Sequence, residues 1–221
     1  MLVMYAENLL GYSALQFGLI NIPRAVGTIV GLLIVTRVMK LIDARILLLV
    51  GMSCSVLSLF MFASLNLETD AMPIMIAGAF QGFSGGLLIS PLSALAFATL
   101  NPVFRNEGAA IFALMRNLGQ SMGISAMTLI SIQQAAQVSG RLAEGVRPDN
   151  PMLEWARPGL DFGDPAMMAR TAGEIWRQAT MVATIDAFWL SCLVALATIP
   201  VIFLMKKQKL GQARPGPSVD H

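Results

Sequence analysis

Long apolar runs separated by short polar ones divide this chain, and the pattern predicts five membrane-crossing helices. The runs cover residues 13–37, 45–65, 73–100, 107–134 and 179–205, each long enough for the roughly 20 residues a bilayer span requires. Residues 1–10 are apolar but too short to cross, so residues 1–12 read as the end of a preceding helix or as an outer loop. Residues 135–178 form the longest polar stretch, in which Asp164-Pro165 makes a good helix start. The segment 166–178 after it is of mixed polarity and predicts an interfacial helix, with Trp155 and Trp176 as candidates for the aromatic belt. The tail, residues 207–221, is polar and rich in Gly and Pro and is expected to be disordered.

Two of these runs carry unusual residues. In the third, Gly78, Gly82 and Gly86 recur every four positions, with Ser84 and Gly85 beside them. At 3.6 residues per turn they share one stripe, along which another backbone can approach closely. The fourth contains Arg116 and Asn117, followed by Gly119, Gln120 and Gly123, so a guanidinium and two amides sit inside a segment that otherwise suits hydrocarbon. The first holds Pro23-Arg24, and Arg24 lies about 16 Å along its helix, close to the midplane. An arginine there costs about 2.5–3.5 kcal/mol and must face protein or water. Asp186 lies about 10 Å into the fifth run, and Arg116 about 13 Å into the fourth. The second run has no internal charge and is placed against lipid.

Composition agrees with the pattern: 56% of the 221 residues are hydrophobic and 13% charged, about half the charge of a soluble domain. Mean hydropathy is +0.68. A net charge of +2 gives no reason to expect a nucleic-acid partner. Cys54 and Cys192 lie inside apolar runs and His221 is the only histidine, which leaves no metal cluster and no imidazole catalyst. Neither a nucleophile–base pair nor a phosphate loop appears, so a membrane enzyme is a poor reading. Charge position sets the orientation. Arg37, Lys40 and Arg45 against Asp43, then Arg105, and finally Lys206, Lys207 and Lys209, alternate with the acidic connection at Glu68 and Asp70. By the positive-inside rule the basic loops and the C-terminus are cytoplasmic, and residues 135–178 are outside.

The run Gly11-Tyr12-Ser13-Ala14-Leu15-Gln16-Phe17-Gly18-Leu19 followed by Pro23-Arg24 resembles the major facilitator superfamily, most closely its fourteen-helix drug:proton antiporters of the EmrB/QacA type. Gln81-Gly82-Phe83, Gly85-Gly86-Leu87-Leu88, Pro91-Leu92, Arg105 with Gly108, and Met115-Arg116-Asn117-Leu118-Gly119 match in the same order. The resemblance implies five complete helices of a C-terminal bundle, preceded by the stump of a sixth, with the N-terminal bundle missing. It further implies multidrug efflux of hydrophobic or amphipathic compounds, driven by a proton gradient with no other cofactor, from the bacterial inner membrane. Residues 135–178 would then be the contact for a periplasmic adaptor. In such proteins the first, third and fourth helices here would line the cavity, and the second and fifth would sit outside. The loop with Arg37, Asp43 and Arg45 matches a cytoplasmic gate, but Lys40-Leu41 stands where the family commonly has Asp-Arg, which weakens that match.

Candidate substrate or coupling residues are therefore Arg24, Gln81, Arg116, Asn117 and Asp186, with Gly78, Gly82, Gly86, Gly119 and Gly123 as packing positions. Each has a structural alternative. Arg24 could meet a coupling carboxylate elsewhere or pair with Asp186, and the amides could be interhelical bonds alone. The whole-chain alternatives are a non-transporting remnant or scaffold, or a facilitator of another substrate class.

Overall fold

A computed structural model describes residues 13–39, 41–66, 69–97, 102–146 and 162–204. They form five long helices: α1 (Ala14–Val38), α2 (Ala44–Ala63), α3 (Ala71–Phe97), α4 (Arg105–Glu144) and α5 (Pro165–Leu204). A single 3-10 turn, Pro102–Phe104, precedes α4, and no strand occurs among the described residues. The stump at residues 1–12, Trp155 and the tail at 207–221 lie outside the described residues.

Local chemistry explains the ends. Ser13 and Gln16 form a capping box that satisfies backbone donors at the start of α1. Helix α3 begins at Ala71, two residues before Pro73, because the first N–H groups of a helix have no internal acceptor and proline costs nothing there. The helix assignment is unbroken through Pro23 and Pro91.

The largest differences from the hydropathy pattern concern α4 and α5. The fourth helix continues to Glu144, ten residues past the apolar run that ends at Gln134. The segment 166–178, expected as an interfacial helix leading into the last span, is continuous with that span as the first third of α5. Hydropathy marks where a helix enters lipid, whereas helix continuity depends on backbone propensity and on a partner for the apolar stripe. Here the partner is mutual: Ala135 of α4 and Thr171 and Ala179 of α5 are buried, and the Ser191 hydroxyl lies 3.9 Å from the Met127 sulfur. Each helix has 40 residues, about 60 Å and twice the thickness of the hydrocarbon core.

Four helices are long and apolar enough to cross a membrane, over Leu15–Val38, Ala44–Ala63, Ala71–Phe97 and Pro165–Leu204. Helix α4, the fifth expected crossing, is long enough but carries Arg116, Asn117, Gln120 and Ser121 in mid-length. The molecule is an all-α integral membrane bundle.

Packing follows the order α1, α3, α2, α5, α4. Helix α2, apolar all round in sequence, is therefore not a purely lipid-facing helix: it is held between α3 and α5. One buried cluster joins Ile20, Phe62, Leu65, Ile74, Ala77, Met181 and Phe188 at one end, and another joins Val35, Leu47 and Leu87 at the other. Between them, two buried serines tie α2 to α3. Ser58 donates to the Ala77 carbonyl at 2.7 Å, and Ser84 to the Gly51 carbonyl at 2.8 Å. Ser58→Ala is expected to lower stability by about 0.6 kcal/mol, the usual worth of an interhelical bond in a membrane bundle. Its SDS-unfolding midpoint, compared with that of the exposed-site variant Ser53→Ala, checks this.

Candidate functional site

The glycine stripe of α3 meets α1. A Cβ added at Gly82 would fall on the Arg24 carbonyl, and one at Gly86 on the Thr28 carbonyl. From the other side, Cβ atoms at Gly27 and Gly31 would fall on the Ala79 and Phe83 carbonyls. The contact is backbone against backbone over two turns, with α1 and α3 running parallel. Gly78 is looser, its nearest neighbour being the Arg24 Cβ at 3.7 Å. Gly119 and Gly123 on α4 differ: nothing lies within 4 Å of a Cβ at either.

This seam fixes the backbone of Arg24, while its side chain is exposed on the surface of the chain. Among the described residues no hydrogen bond or ion pair engages the Arg24 guanidinium, and none joins it to Asp186. The suggested Arg24–Asp186 pair is not formed, because the two stand on helices separated by α3 and α2 in the packing order. Asp186 is also exposed, on the side of α5 away from its buried residues Ala183, Ala187 and Phe188. Gln81 is half-buried on α3, and its Oε1 is enclosed without a hydrogen-bond partner. Gln134 on α4 is in the same condition, and sequence reasoning did not single it out.

Arg116 and Gln120 come together with α3. They line a cleft of about 140 Å³ whose other walls are Leu88, Ile89, Leu92, Ser93 and Phe112. Phe97 closes one end edge-on against Phe112, with ring centroids 5.6 Å apart. The cleft exists because α3 and α4 make little contact with each other, Phe97 against Phe112 being part of it. Asn117 is exposed, and its backbone carbonyl accepts a hydrogen bond from Ser121 at 3.0 Å. Ser93 and Phe112 are wall residues that the sequence alone did not suggest; a hydroxyl and an aromatic ring within apolar runs carry no distinguishing pattern. Chemically the cleft offers an apolar wall, a cation, an amide and the Ser93 hydroxyl, which suits an amphipathic guest.

In the loop expected to act as a gate, Arg45 is engaged by backbone. The Arg45 guanidinium turns onto α5, donating from Nε to the Ile202 carbonyl at 3.3 Å and from its terminal nitrogen to the Phe203 carbonyl. It thereby caps the last carbonyls of that helix. Arg37 sits in the last turn of α1, and Asp43 precedes α2 without making a side-chain cap.

No family model matches the chain. An uncharacterized MFS-type transporter, YhcA, of Bacillus subtilis (strain 168) is 26% identical over 130 residues, which is 59% of this chain and 24% of YhcA. The multidrug export protein EmrB of Haemophilus influenzae is 24% identical over 208 residues, 90% of this chain and 40% of EmrB. The multidrug resistance protein B homolog of Mycobacterium tuberculosis is 24% identical over 219 residues, 96% of this chain and 40% of the homolog. The chain thus spans 24–40% of the length of these relatives. Across most of its length it resembles transporters of the major facilitator type, among them EmrB-type multidrug export proteins.

Proposed function

We propose that this chain is the C-terminal portion of a multidrug efflux transporter, working by alternating access and proton-coupled antiport of hydrophobic or amphipathic compounds. The observation that carries the reading is the cleft between α3 and α4, where Arg116 and Gln120 face Leu88, Ile89, Leu92 and Phe112. The similarity to export proteins supports it. Arg24 is the second candidate, because an unpaired cation in a span needs an anionic counterpart from elsewhere. The basic loops and C-terminus would face the cytoplasm of a bacterial inner membrane. The paired ends of α4 and α5 would project outward, where residues 135–178 would meet a periplasmic adaptor. Deleting residues 147–161 should then abolish adaptor crosslinking; unchanged crosslinking would remove the adaptor from the reading.

The test is dye efflux from cells or inverted vesicles. It compares the chain alone, the chain joined to the segment encoded upstream of it, and Arg24→Ala and Arg116→Ala in the joined form. Efflux is expected only in the joined form, reduced about tenfold or more by either substitution at normal expression, as loss of a charged contact made to the joined segment or to the substrate implies. Efflux by the chain alone would overturn the reading as a portion. Absence of efflux in every form would favour the scaffold or remnant reading.

A further inference from the structure

We infer that Asp186, Trp189 and Phe60 form a lipid-facing site for the primary ammonium of a phosphatidylethanolamine headgroup. The site lies at the Ala63 end of the contact between α2 and α5. Phe60 of α2 and Trp189 of α5 meet edge to face, with ring centroids 5.6 Å apart and planes at 89°. Both rings remain accessible, Phe60 at 49% and Trp189 at 44%. Asp186 is exposed three residues before Trp189, a spacing that puts the two on one helix face with Cβ atoms about 5–6 Å apart.

Depth follows from α2, whose span Ala44–Ala63 has 20 residues and so matches a hydrocarbon core of about 30 Å. Phe60 is then about 5 Å inside its end. Helix α5 runs antiparallel beside it: the Cys192 sulfur lies 3.9 Å from the Val56 carbonyl, and Trp189 meets Phe60. One further turn brings Asp186 level with Ala63, where hydrocarbon gives way to headgroups. Run length alone suggested greater depth; the register moves the carboxylate out to the boundary.

Nothing in the chain answers this charge. Among the described residues no hydrogen bond or ion pair engages the Asp186 side chain. Helix α2 from Ile46 to Ala63 and α5 from Gln178 to Leu204 hold no lysine or arginine. Arg177, the nearest cation along α5, is nine residues or about 14 Å away. The carboxylate attracts a cation, and the negative faces of the two rings favour the same sign. In an edge-to-face pair, the ring that gives its edge keeps both faces clear of its partner. At this depth the surroundings are lipid, so the cation is a headgroup. A primary ammonium has three N–H donors for the carboxylate, whereas a choline has none and gains only the ring contact. An anionic headgroup is repelled. No residue of the site lines the α3–α4 cleft, so the inference stands apart from the transport reading.

The experiment reads Trp189 fluorescence in the whole chain, with Trp155→Phe and Trp176→Phe removing the other two tryptophans. The chain is placed in phosphatidylcholine nanodiscs with a minor fraction of lipid brominated near the top of its acyl chains. That lipid is the ethanolamine, the choline or the glycerol form, present in both leaflets, so orientation does not matter. Quenching is expected to show the ethanolamine lipid associating about fivefold more strongly than the choline lipid, with the glycerol lipid weakest. Asp186→Asn, equal in size and uncharged, should bring the ethanolamine and choline lipids to equality. Phe60→Leu should weaken both while leaving their ratio. Equal quenching by the two lipids with Asp186 and Phe60 in place would mean a merely hydrated carboxylate and would overturn the inference, without any substitution in the site. A preference that survives Asp186→Asn would put the headgroup elsewhere and overturn it equally. Quenching indifferent to Phe60→Leu would take the rings out of the site and overturn it as drawn. Absence of quenching by every lipid, with energy transfer between donor- and acceptor-labelled copies, would show the face covered by a second copy and overturn the choice of a lipid.

Discussion

Replacing Gly82 by Ala is expected to cost about 3 kcal/mol, near the upper end of what overpacking normally costs, and to loosen α1 from α3. The added methyl would occupy the position of the Arg24 carbonyl, which is backbone and cannot rotate away. The flanking Gly27, Gly31 and Gly86 also leave no room for a Cβ against backbone, so relief at one turn is blocked at the next. Purified protein in mild detergent, titrated with SDS and followed by far-UV circular dichroism, should show an early step corresponding to release of α1. Gly119→Ala is the control: it meets open space and should leave the curve unchanged or slightly strengthened, since Ala favours helix over Gly. Similar curves for the two variants would mean that α1 and α3 do not touch as described.

Substituting Arg45 by Ala should destabilise the last turn of α5 by about 2 kcal/mol, the range of hydrogen bonds to a charged group. Two carbonyls, of Ile202 and Phe203, receive the guanidinium. Pro200, one turn earlier, has no N–H and leaves the Leu196 carbonyl without its rung, so the helix ladder is already weakened on this side of the contact. The cation also opposes the negative end of the helix dipole. Amide exchange at Val201 to Leu204 should accelerate severalfold in Arg45→Ala, with little change at Ala183 to Phe188 in the buried cluster. Arg45→Lys keeps the charge but not the two-pronged donor, and should recover less than half of the loss. Uniform acceleration along α5 would indicate a global effect, and no acceleration would dismiss the cap.

Much of this architecture is legible in the residues, and the limits are physical. Apolar run length located four of the five expected spans, because a bilayer imposes one thickness on every helix that crosses it. The same signal stopped short on α4 and α5, whose outer portions are helical through each other's company and outside the reach of hydropathy. The four-residue spacing of Gly78, Gly82 and Gly86 announced a close approach, but not its partner. Gly119 and Gly123 carry the same spacing and meet nothing within 4 Å. A small-residue stripe describes a surface, and only the three-dimensional order says what lies against it. Arg45 is the sharpest case. Its place in a basic loop suggested a gate, while its partners, 157 and 158 residues away, are backbone carbonyls that no side-chain pattern reveals. The cleft was half-visible: Arg116 and Gln120 were conspicuous, whereas Ser93 and Phe112 become neighbours only through the way α3 and α4 diverge.

The packing order has a consequence for how the molecule is made. Helices α1 and α2 are consecutive in the chain, yet each makes its most extensive contact with α3, which lies between them. A ribosome delivers α1 before α2 and α3, with Arg24 in its middle and the glycines Gly27 and Gly31 waiting for α3. Nothing in the next 30 residues can cover that face, and α2 leaves the translocon with Ser58 and Gly51 still lacking their partners across the helix boundary. Only when α3 arrives do both close at once, as one step. Until then α1 and α2 are loosely held against each other, so quality control of this part turns on a single event: the entry of Gly82 beside Arg24.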